Sequence, residues 1–344
     1  MLFMTADSDI VKNCVDIFRK RGKNALEKAK AEILMSPNNS GVISSALKYF
    51  AKVTLRDVLP VFPGLVSLSC EAAGGKPDKT IGVGAALSLI AGAADVQDDI
   101  MDKSVEKYGK KTVYGKFGAN IALLVGDALL FEGLALLCRE CDAFSEEQKR
   151  KILILVTEAF YKISKAEAKE AVLKGKLDIQ PEKYLEILRL KNVVPEVHCQ
   201  IGAVIAGAND EVISKWGEFG KTYGDISSIA EEFADLLTPD ELENRIKNEC
   251  PPLPFLYALK NPTARCKILQ LASSETISAA NVKRAADIVL GLKEVQDMCK
   301  KMKLNSQKEV RKLPSSEEKT KSELTTLLLA PIVSLQQSMK GTFC

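Results

Sequence analysis

The sequence predicts an all-α fold in a single domain over residues 1–344, on three observations. Ala, Leu, Lys and Glu dominate the composition. Glycine and proline cluster between apolar stretches of helical period, whereas the alternating apolar and polar pattern of strands is scarce. No linker rich in Pro, Gly or Ser divides the chain, so one large helical domain is expected.

The helices follow from periodicity and from the residues that interrupt it. Residues 74–77 and 251–254 are rich in Gly or Pro and break the pattern, while Ser145 and Ser315 precede acidic first turns typical of helix starts. Helices are therefore expected at about residues 7–35, 40–58, 64–73, 79–103, 118–141, 146–174, 181–207, 211–237, 255–271, 276–304 and 316–340.

Charge and cysteine content exclude several classes of protein. A formal net charge of +3, with basic and acidic residues interspersed, argues against nucleic-acid binding. No apolar run with the length of a membrane span is expected, and the first residues lack the pattern of a leader. Nine scattered cysteines suit reduced thiols, so a cytoplasmic location is expected.

The most informative feature is an acidic cluster at the end of an apolar helix. Asp98, Asp99 and Asp102 project from one side of that helix, because residues three and four apart share a face. Their mutual repulsion and desolvation would cost on the order of several kcal/mol without a cation among them. Carboxylate oxygens suit Mg²⁺, which completes its shell with water and substrate phosphates. The cluster therefore indicates diphosphate chemistry.

A second acidic cluster repeats the same spacing far downstream. Glu231, Glu232 and Asp235 form another two-plus-one set on a long predicted helix. Two such triplets on two helices can face each other across a central cavity, as in helix bundles that hold metals through carboxylates.

From about Leu55 to the helix at 255–271, the chain resembles the trans-isoprenyl diphosphate synthases (polyprenyl synthetases) of the all-α isoprenoid synthase superfamily. The first triplet resembles the DDxxD motif of that family, and residues 102–113 follow its D-x-S-x-x-R-R-G-x-P-T-V stretch without a gap. Lys107 stands at the first Arg of that stretch, Lys191 stands in the Lys-Thr pair, and the second triplet stands at the second aspartate-rich motif.

The resemblance implies a helical bundle with a central active-site cavity, a homodimer and two substrate pockets. An allylic prenyl diphosphate would bind through Mg²⁺, with three ions expected alongside the diphosphate. The implied metal ligands and helping cations are Asp98, Asp99, Asp102, Glu231, Glu232, Asp235, Lys107 and Lys191. Isopentenyl diphosphate would bind through a basic GGKRxRP motif, the second Arg after DDxxD, and a Gln.

The sequence keeps the charged residues of the implied allylic pocket but lacks those of the implied isopentenyl diphosphate pocket. Residues 57–63, which occupy the positions of the basic motif, contain no cation; Tyr108 replaces the second Arg, and Ser227-Ser228 replace Phe-Gln. Each lost Arg removes a strong charge-assisted hydrogen bond to a diphosphate. Chain elongation by isopentenyl diphosphate is therefore expected to be doubtful.

The cavity wall is predicted from the helix before Asp98. Ala93 and Ala94, five and four residues upstream, leave the prenyl pocket open, while Ile90 can form part of its floor. A substrate of about geranylgeranyl size is therefore expected, by resemblance to the family, in which bulk at these positions sets the pocket depth.

The preferred functional prediction is Mg²⁺-dependent ionisation of a long allylic prenyl diphosphate followed by cyclisation or elimination, as in terpene synthases. Ser228 and Glu232 also match part of the terpene-synthase motif NDxxSxxxE, although Gly224 occupies the position of its first ligand. Two alternatives stay open: a geranylgeranyl-type diphosphate synthase or prenyltransferase, and a non-catalytic subunit of such a synthase.

Overall fold

The protein is described here by a computed structural model of residues 8–35, 40–56, 58–107, 109–272, 278–312 and 318–338. Within those residues it forms sixteen α-helices and one short antiparallel hairpin, so the all-α prediction is confirmed. Asp57, Tyr108 and the helix start expected at Ser315 lie outside the described residues.

The chain divides into two compact units. One unit comprises Asp16–Thr157 and Val197–Gly217, and the other comprises the chain up to Val15, Glu158–Glu196 and the chain from Glu218 onward. The expectation of a single domain over 1–344 stays a prediction.

The unit that begins at Asp16 contains the first acidic cluster. Its elements up to Cys141 are, in chain order, α1 (Asp9–Met35, shared with the other unit), α2 (Gly41–Tyr49), α3 (Val61–Ala72), α4 (Ile81–Met101), β1 (Glu106–Lys107), β2 (Lys110–Lys111), α5 (Val113–Phe117) and α6 (Ala119–Cys141). A single π-helical turn follows α2 over Phe50–Thr54, and a 3₁₀ turn over Pro77–Thr80 leads into α4.

Close packing between α4 and α6 fixes the helix that carries the first cluster. A Cβ atom at Gly133 of α6 would lie 2.8 Å from Ile90 Cγ1 and 3.1 Å from the Ala86 carbonyl oxygen. Only glycine permits this approach without a shift of the backbone. Ala86, which faces Gly133, and Leu89 are fully buried, so α4 is a core helix held by van der Waals contact.

The remaining helices complete the fold and carry the second cluster. They are α7 (Glu146–Ala171), α8 (Pro181–Lys191), α9 (Val193–Ile205), α10 (Asp210–Leu237), α11 (Pro239–Asn248), α12 (Leu253–Lys260), α13 (Pro262–Ala272), α14 (Ala279–Leu290), α15 (Lys293–Lys312) and α16 (Glu318–Ser338). Proline in the first turn of α8, α11 and α12 suits those starts, because its missing N–H has no helical partner there.

Three local differences from the predicted helices have physical causes. The helix expected over 181–207 breaks at Asn192, whose side-chain Nδ2 donates to Asp225 Oδ1 at 2.6 Å and whose Oδ1 accepts from Ser228 Oγ at 2.6 Å. Helix α11 and the hairpin at residues 106–111 were not predicted. These are short elements stabilised by tertiary contacts, which periodicity over a long window does not detect.

Two helices in the described part of the chain are long and apolar enough to cross a membrane, by length and composition only. They are the stretch Pro77–Met101, which contains α4, and α6. The expectation that no apolar run has that length was therefore wrong. The apolar window of the first stretch is 67% buried, as in the core helix of a globular protein, and one or two helices of this kind are weak evidence for a membrane span.

Candidate functional site

The first acidic cluster lies at the carboxyl end of α4. Asp98 and Asp102 are half-buried there, and Asp99 is buried with 3% of its surface exposed. The chain leaves the helix through Lys103, which has a left-handed φ of 56°, and the Ser104 N–H donates to the Asp99 carbonyl at 2.9 Å. Carboxylates at this end meet the negative pole of the helix dipole, so the cluster requires a cation.

Lys107 supplies a positive charge to this cluster. Its Nζ lies 2.7 Å from Asp99 Oδ1 and 3.2 Å from Asp95 Oδ1. Desolvation acts to lower the pKa of Lys107, but the Asp95 and Asp99 carboxylates outweigh it and raise that pKa above its usual value. Lys107 is therefore charged and bound to Asp99, which was predicted to bind metal, and to Asp95, which was not.

The hairpin between α4 and α5 positions Lys107. It turns through Gly109, whose φ is +70°, and ends at Thr112, which caps α5 by accepting from the Gly115 N–H at 2.9 Å. The Thr112 hydroxyl donates to the Ser104 carbonyl at 2.7 Å. A Cβ atom at Gly115 would lie 1.9 Å from the Val105 carbonyl oxygen, so this tight return of the chain requires glycine.

Burial dominates the electrostatics of Asp99. Desolvation raises the pKa of its carboxyl to about 6, with Lys107 acting to lower it and Asp95 and Asp102 acting to raise it. One lysine therefore does not fully offset the cost of burying this carboxylate among its neighbours.

The three side chains of the second triplet, on α10, differ in their exposure to solvent. Glu231 is exposed, Glu232 is 4% exposed and Asp235 is half-buried. Desolvation by the surrounding chain, helped by Asp235 and Glu232, raises the pKa of Glu231 to about 7, although part of its surface is open to solvent. The three side chains therefore differ in their exposure to solvent, and their common role as metal ligands stays a prediction.

A buried arginine that the sequence analysis did not consider neutralises two members of this triplet. Arg245 of α11 forms ion pairs with Glu232, at 3.0 Å from Nη2 to Oε1, and with Asp235 through Nη1. Glu232 also accepts from the Tyr184 hydroxyl at 3.2 Å and from the Leu253 N–H at 2.6 Å. Glu232 thus holds together α8, α10, α11 and the start of α12.

Signals for this arginine are present in the sequence. Thr238-Pro239 followed by two acidic residues is a typical helix start, and Arg245 lies three residues after the buried Leu242, on the same face. An arginine on the apolar face of a short helix, just downstream of an acidic triplet, indicates a buried ion pair.

Lys191 lies at the end of α8 and is also paired with carboxylates. Its Nζ is 3.0 Å from Glu167 Oε1 and also contacts Glu170, which is buried. The hydroxyl of Ser228 donates to Asn192 Oδ1 at 2.6 Å, and its predicted contact with substrate stays a prediction. Both residues therefore have protein partners.

The predicted pocket residues on α4 differ in their surroundings. Ala93 is 1% exposed, and its carbonyl oxygen lies 3.6 Å from the position of a Cβ at Gly126 of α6. Ile90 is half-buried and packs at Gly133, and Ala94 is half-buried. Ala93 and Ile90 thus contact α6, and their role in a prenyl pocket stays a prediction.

Among the described residues, no group of three or more His, Cys, Asp or Glu side chains is arranged to hold a metal ion. The donor chemistry nevertheless differs between the clusters. Asp98 and Asp102 provide carboxylate oxygens of the kind Mg²⁺ takes when phosphates and waters complete its shell. Glu232 has its oxygens engaged by Arg245, Tyr184 and Leu253, so it does not fit a metal site.

Solved structures share this architecture. A geranylgeranyl pyrophosphate synthetase from Pyrococcus horikoshii is 22% identical, with a TM-score of 0.79 over 94% of this chain and 98% of the other. At that identity the likeness shows the fold alone, which is the all-α isoprenoid synthase bundle.

Two curated relatives bear on function. A geranylgeranyl diphosphate synthase from Sulfolobus acidocaldarius is 30% identical over 182 residues, 53% of this chain and 55% of the relative. A short chain isoprenyl diphosphate synthase from Methanothermobacter thermautotrophicus is 28% identical over 180 residues, 52% of this chain and 54% of the relative. The matches thus span about half the length of these relatives.

These relatives overturn the preferred prediction of terpene-synthase chemistry. Both are named as diphosphate synthases, which favours the alternative of prenyl transfer over cyclisation or elimination. The error came from treating the missing cations of one implied pocket as evidence for a different reaction.

Family membership rests on a match over most of the chain. The polyprenyl synthetase family model matches residues 57–289, which contain both acidic triplets, Lys107, Lys191 and Arg245. The chain therefore belongs to the polyprenyl synthetase family.

Proposed function

We propose that this protein is a prenyl diphosphate synthase that extends an allylic diphosphate to a product of about geranylgeranyl length. The observation that carries the proposal is the carboxylate cluster at the end of α4, with Lys107 bound to Asp99 at 2.7 Å, in a chain of the polyprenyl synthetase family. The names of the two curated relatives support prenyl transfer.

The reaction needs charge neutralisation at the departing diphosphate. Mg²⁺ held by Asp98 and Asp102 would supply Lewis-acid polarisation of the diphosphate oxygens. Lys107 donates to the same oxygens when the diphosphate competes with Asp95 and Asp99 for its ammonium group. Lys191 has the same role in the proposal, with Glu167 and Glu170 as its resting partners. The expected three ions and the facing of the two triplets stay predictions.

The positions of the basic motif support weak binding of isopentenyl diphosphate. In the described part of that motif, Phe62 packs with His198 at a ring separation of 4.9 Å and Pro63 is buried. Side chains that pack in this way cannot replace the charge-assisted hydrogen bonds of arginine. We therefore expect elongation with a high KM for isopentenyl diphosphate.

The proposal includes a homodimer in the cytoplasm. The outer face of α6 exposes Leu123, Leu124 and Phe131, the last with 73% of its surface exposed. An apolar helix face of this kind is suited to burial against a second copy of the chain. The cysteines of the described residues are free thiols, and this supports the proposed cytoplasmic location.

Two observations favour a second candidate, a non-catalytic subunit of a synthase. The described part of the basic motif lacks cations, and both proposed catalytic lysines are bound to carboxylates of their own chain. In that case the chain would show no turnover alone and would change the activity of a partner synthase.

The test is a product assay with Mg²⁺ and geranyl, farnesyl or geranylgeranyl diphosphate, each with and without isotopically labelled isopentenyl diphosphate. The expected result is labelled prenyl diphosphates of greater length, formed only when both substrates are present. Hydrocarbons or alcohols formed without isopentenyl diphosphate would contradict the proposal. An absence of turnover under all conditions would favour the subunit.

A further inference from the structure

We propose that Arg245 is a built-in counter-ion that removes Glu232 from metal coordination and leaves Glu231 as the metal ligand of that adjacent pair. The identity of the metal as Mg²⁺ rests on the proposed function, whereas the pairing itself rests on contacts within one unit of the chain.

The contacts of Arg245 use its whole guanidinium group. Nη1 pairs with Asp235, Nη2 donates to Glu232 Oε1 at 3.0 Å and to the Tyr184 hydroxyl at 2.7 Å, and Nε donates to the Cys250 carbonyl at 2.8 Å. Glu249 adds a third carboxylate, 3.3 Å from Nε. The planar, always charged fork of arginine suits several fixed acceptors, which a hydrated point charge does not.

The lone pairs of Glu232 are committed to the protein. Oε1 accepts from Arg245 and Tyr184, and Oε2 accepts from Leu253 at 2.6 Å and from Arg245 at 3.3 Å. A carboxylate offers about four acceptor sites, so these four contacts fill them. A divalent cation at Glu232 would have to displace these donors and would be repelled by the adjacent guanidinium.

Glu231, the neighbouring residue on α10, has the opposite surroundings. It is exposed, whereas Glu232 is buried beside Arg245. Adjacent residues on a helix point about 100° apart, so Glu232 lies in the protein interior while part of the Glu231 surface is open to solvent. The two glutamates therefore have different roles. Glu232 stabilises the fold, and Glu231 is accessible to an ion.

Adjacent carboxylates of the same length provide a matched test. Binding of Mn²⁺ is measured by electron paramagnetic resonance on the full chain, with and without inorganic pyrophosphate, in Glu231→Gln and Glu232→Gln. We expect Glu231→Gln to weaken Mn²⁺ binding at its site about tenfold or more. We expect Glu232→Gln to leave the Mn²⁺ affinity unchanged while lowering the Tm. Equal losses of affinity in both variants, or no loss in Glu231→Gln, would overturn the assignment.

A second experiment removes Arg245 and tests whether Glu232 then becomes available to metal. In Arg245→Gln, Glu232 and Asp235 lose their counter-ion, so Mn²⁺ is expected to raise the Tm of this variant more than that of the wild type. Adding Glu232→Gln to Arg245→Gln should remove this additional rise in Tm. A Mn²⁺-induced rise of the same size in Arg245→Gln and in the double variant would contradict the proposal. If Arg245→Gln does not fold, the pair of glutamate variants decides alone. Neither experiment requires turnover, so a failure here is distinguishable from a failure of the proposed function.

Discussion

The two acidic triplets have the same spacing in sequence but are neutralised in different ways. At the end of α4, the counter-ion is Lys107, a half-buried side chain on a short hairpin. On α10, the counter-ion is Arg245, which is buried and fixed by several acceptors. In the proposed function a metal and a diphosphate replace this lysine as the partner of the carboxylates, whereas the arginine is part of the core. Equal spacing of carboxylates therefore does not mean equal availability to metal.

The largest expected effect comes from removing Arg245, the buried counter-ion of the second triplet. Arg245→Met leaves Glu232 and Asp235 without their counter-ion, and we expect the free energy of unfolding to fall by about 3–5 kcal/mol. Urea denaturation followed by circular dichroism measures the change. The control is Arg139→Met, which removes the exposed pair with Glu32 and should cost about 1 kcal/mol or less. Similar losses in both variants would refute a special role for Arg245.

The next effect concerns the first triplet, at the end of α4. Asp98→Asn removes a proposed metal ligand, and we expect kcat for isopentenyl incorporation to fall about 100-fold or more, a loss typical of a removed transition-state contact. The helical circular dichroism spectrum should not change. Asp16→Asn, at an exposed position of α1, is the matched control and should keep full activity. Full activity in Asp98→Asn would exclude it from the reaction.

The pH dependence of stability tests the burial of Asp99. Its folded pKa of about 6 lies above the usual value of an aspartic acid, so the folded state favours the protonated acid. This contribution to stability is complete below about pH 4 and is lost as the pH rises through about 6. Relative to Asp99→Asn, the metal-free wild type should lose on the order of 2 kcal/mol over that range. Denaturation in EDTA at several pH values measures it, and parallel pH profiles would contradict it.

The smallest effect concerns the competition between Lys107 and metal. Lys107→Met removes a cation from the first cluster, so Mn²⁺ alone should bind about two- to fivefold more tightly, as expected for a partly exposed pair. Activity should nevertheless fall, because the ammonium group no longer meets the leaving diphosphate. Lys107→Arg keeps the charge and should retain Mn²⁺ affinity near the wild-type value. Weaker Mn²⁺ binding in Lys107→Met would show that Lys107 does not compete.

The contrast between the clusters also explains what could be predicted from the sequence. The all-α fold and the position of the first triplet follow from local patterns, because an apolar helix ending in Asp98, Asp99 and Asp102 is visible in a short window. The approach of Lys107 to Asp99 depends on a hairpin of two-residue strands that no periodicity reveals.

Arg245 was missed for a related reason. Its partner Glu232 is thirteen residues away on another helix, and only the turn at Thr238 and Pro239 brings them together. The spacing of Glu231 and Glu232 predicted equal roles, but the fold buries one and exposes the other. Tertiary contacts thus decided which carboxylates are available, and the relatives corrected the reaction that was inferred from missing cations.

The most direct measurement is the anomalous scattering of Mn²⁺ in crystals of the protein with a non-hydrolysable allylic thiolodiphosphate. The account predicts manganese peaks at Asp98 and Asp102, with Lys107 moved from Asp99 to the diphosphate and Glu232 still bound to Arg245. Manganese coordinated by Glu232, or the diphosphate bound away from the end of α4, would contradict it.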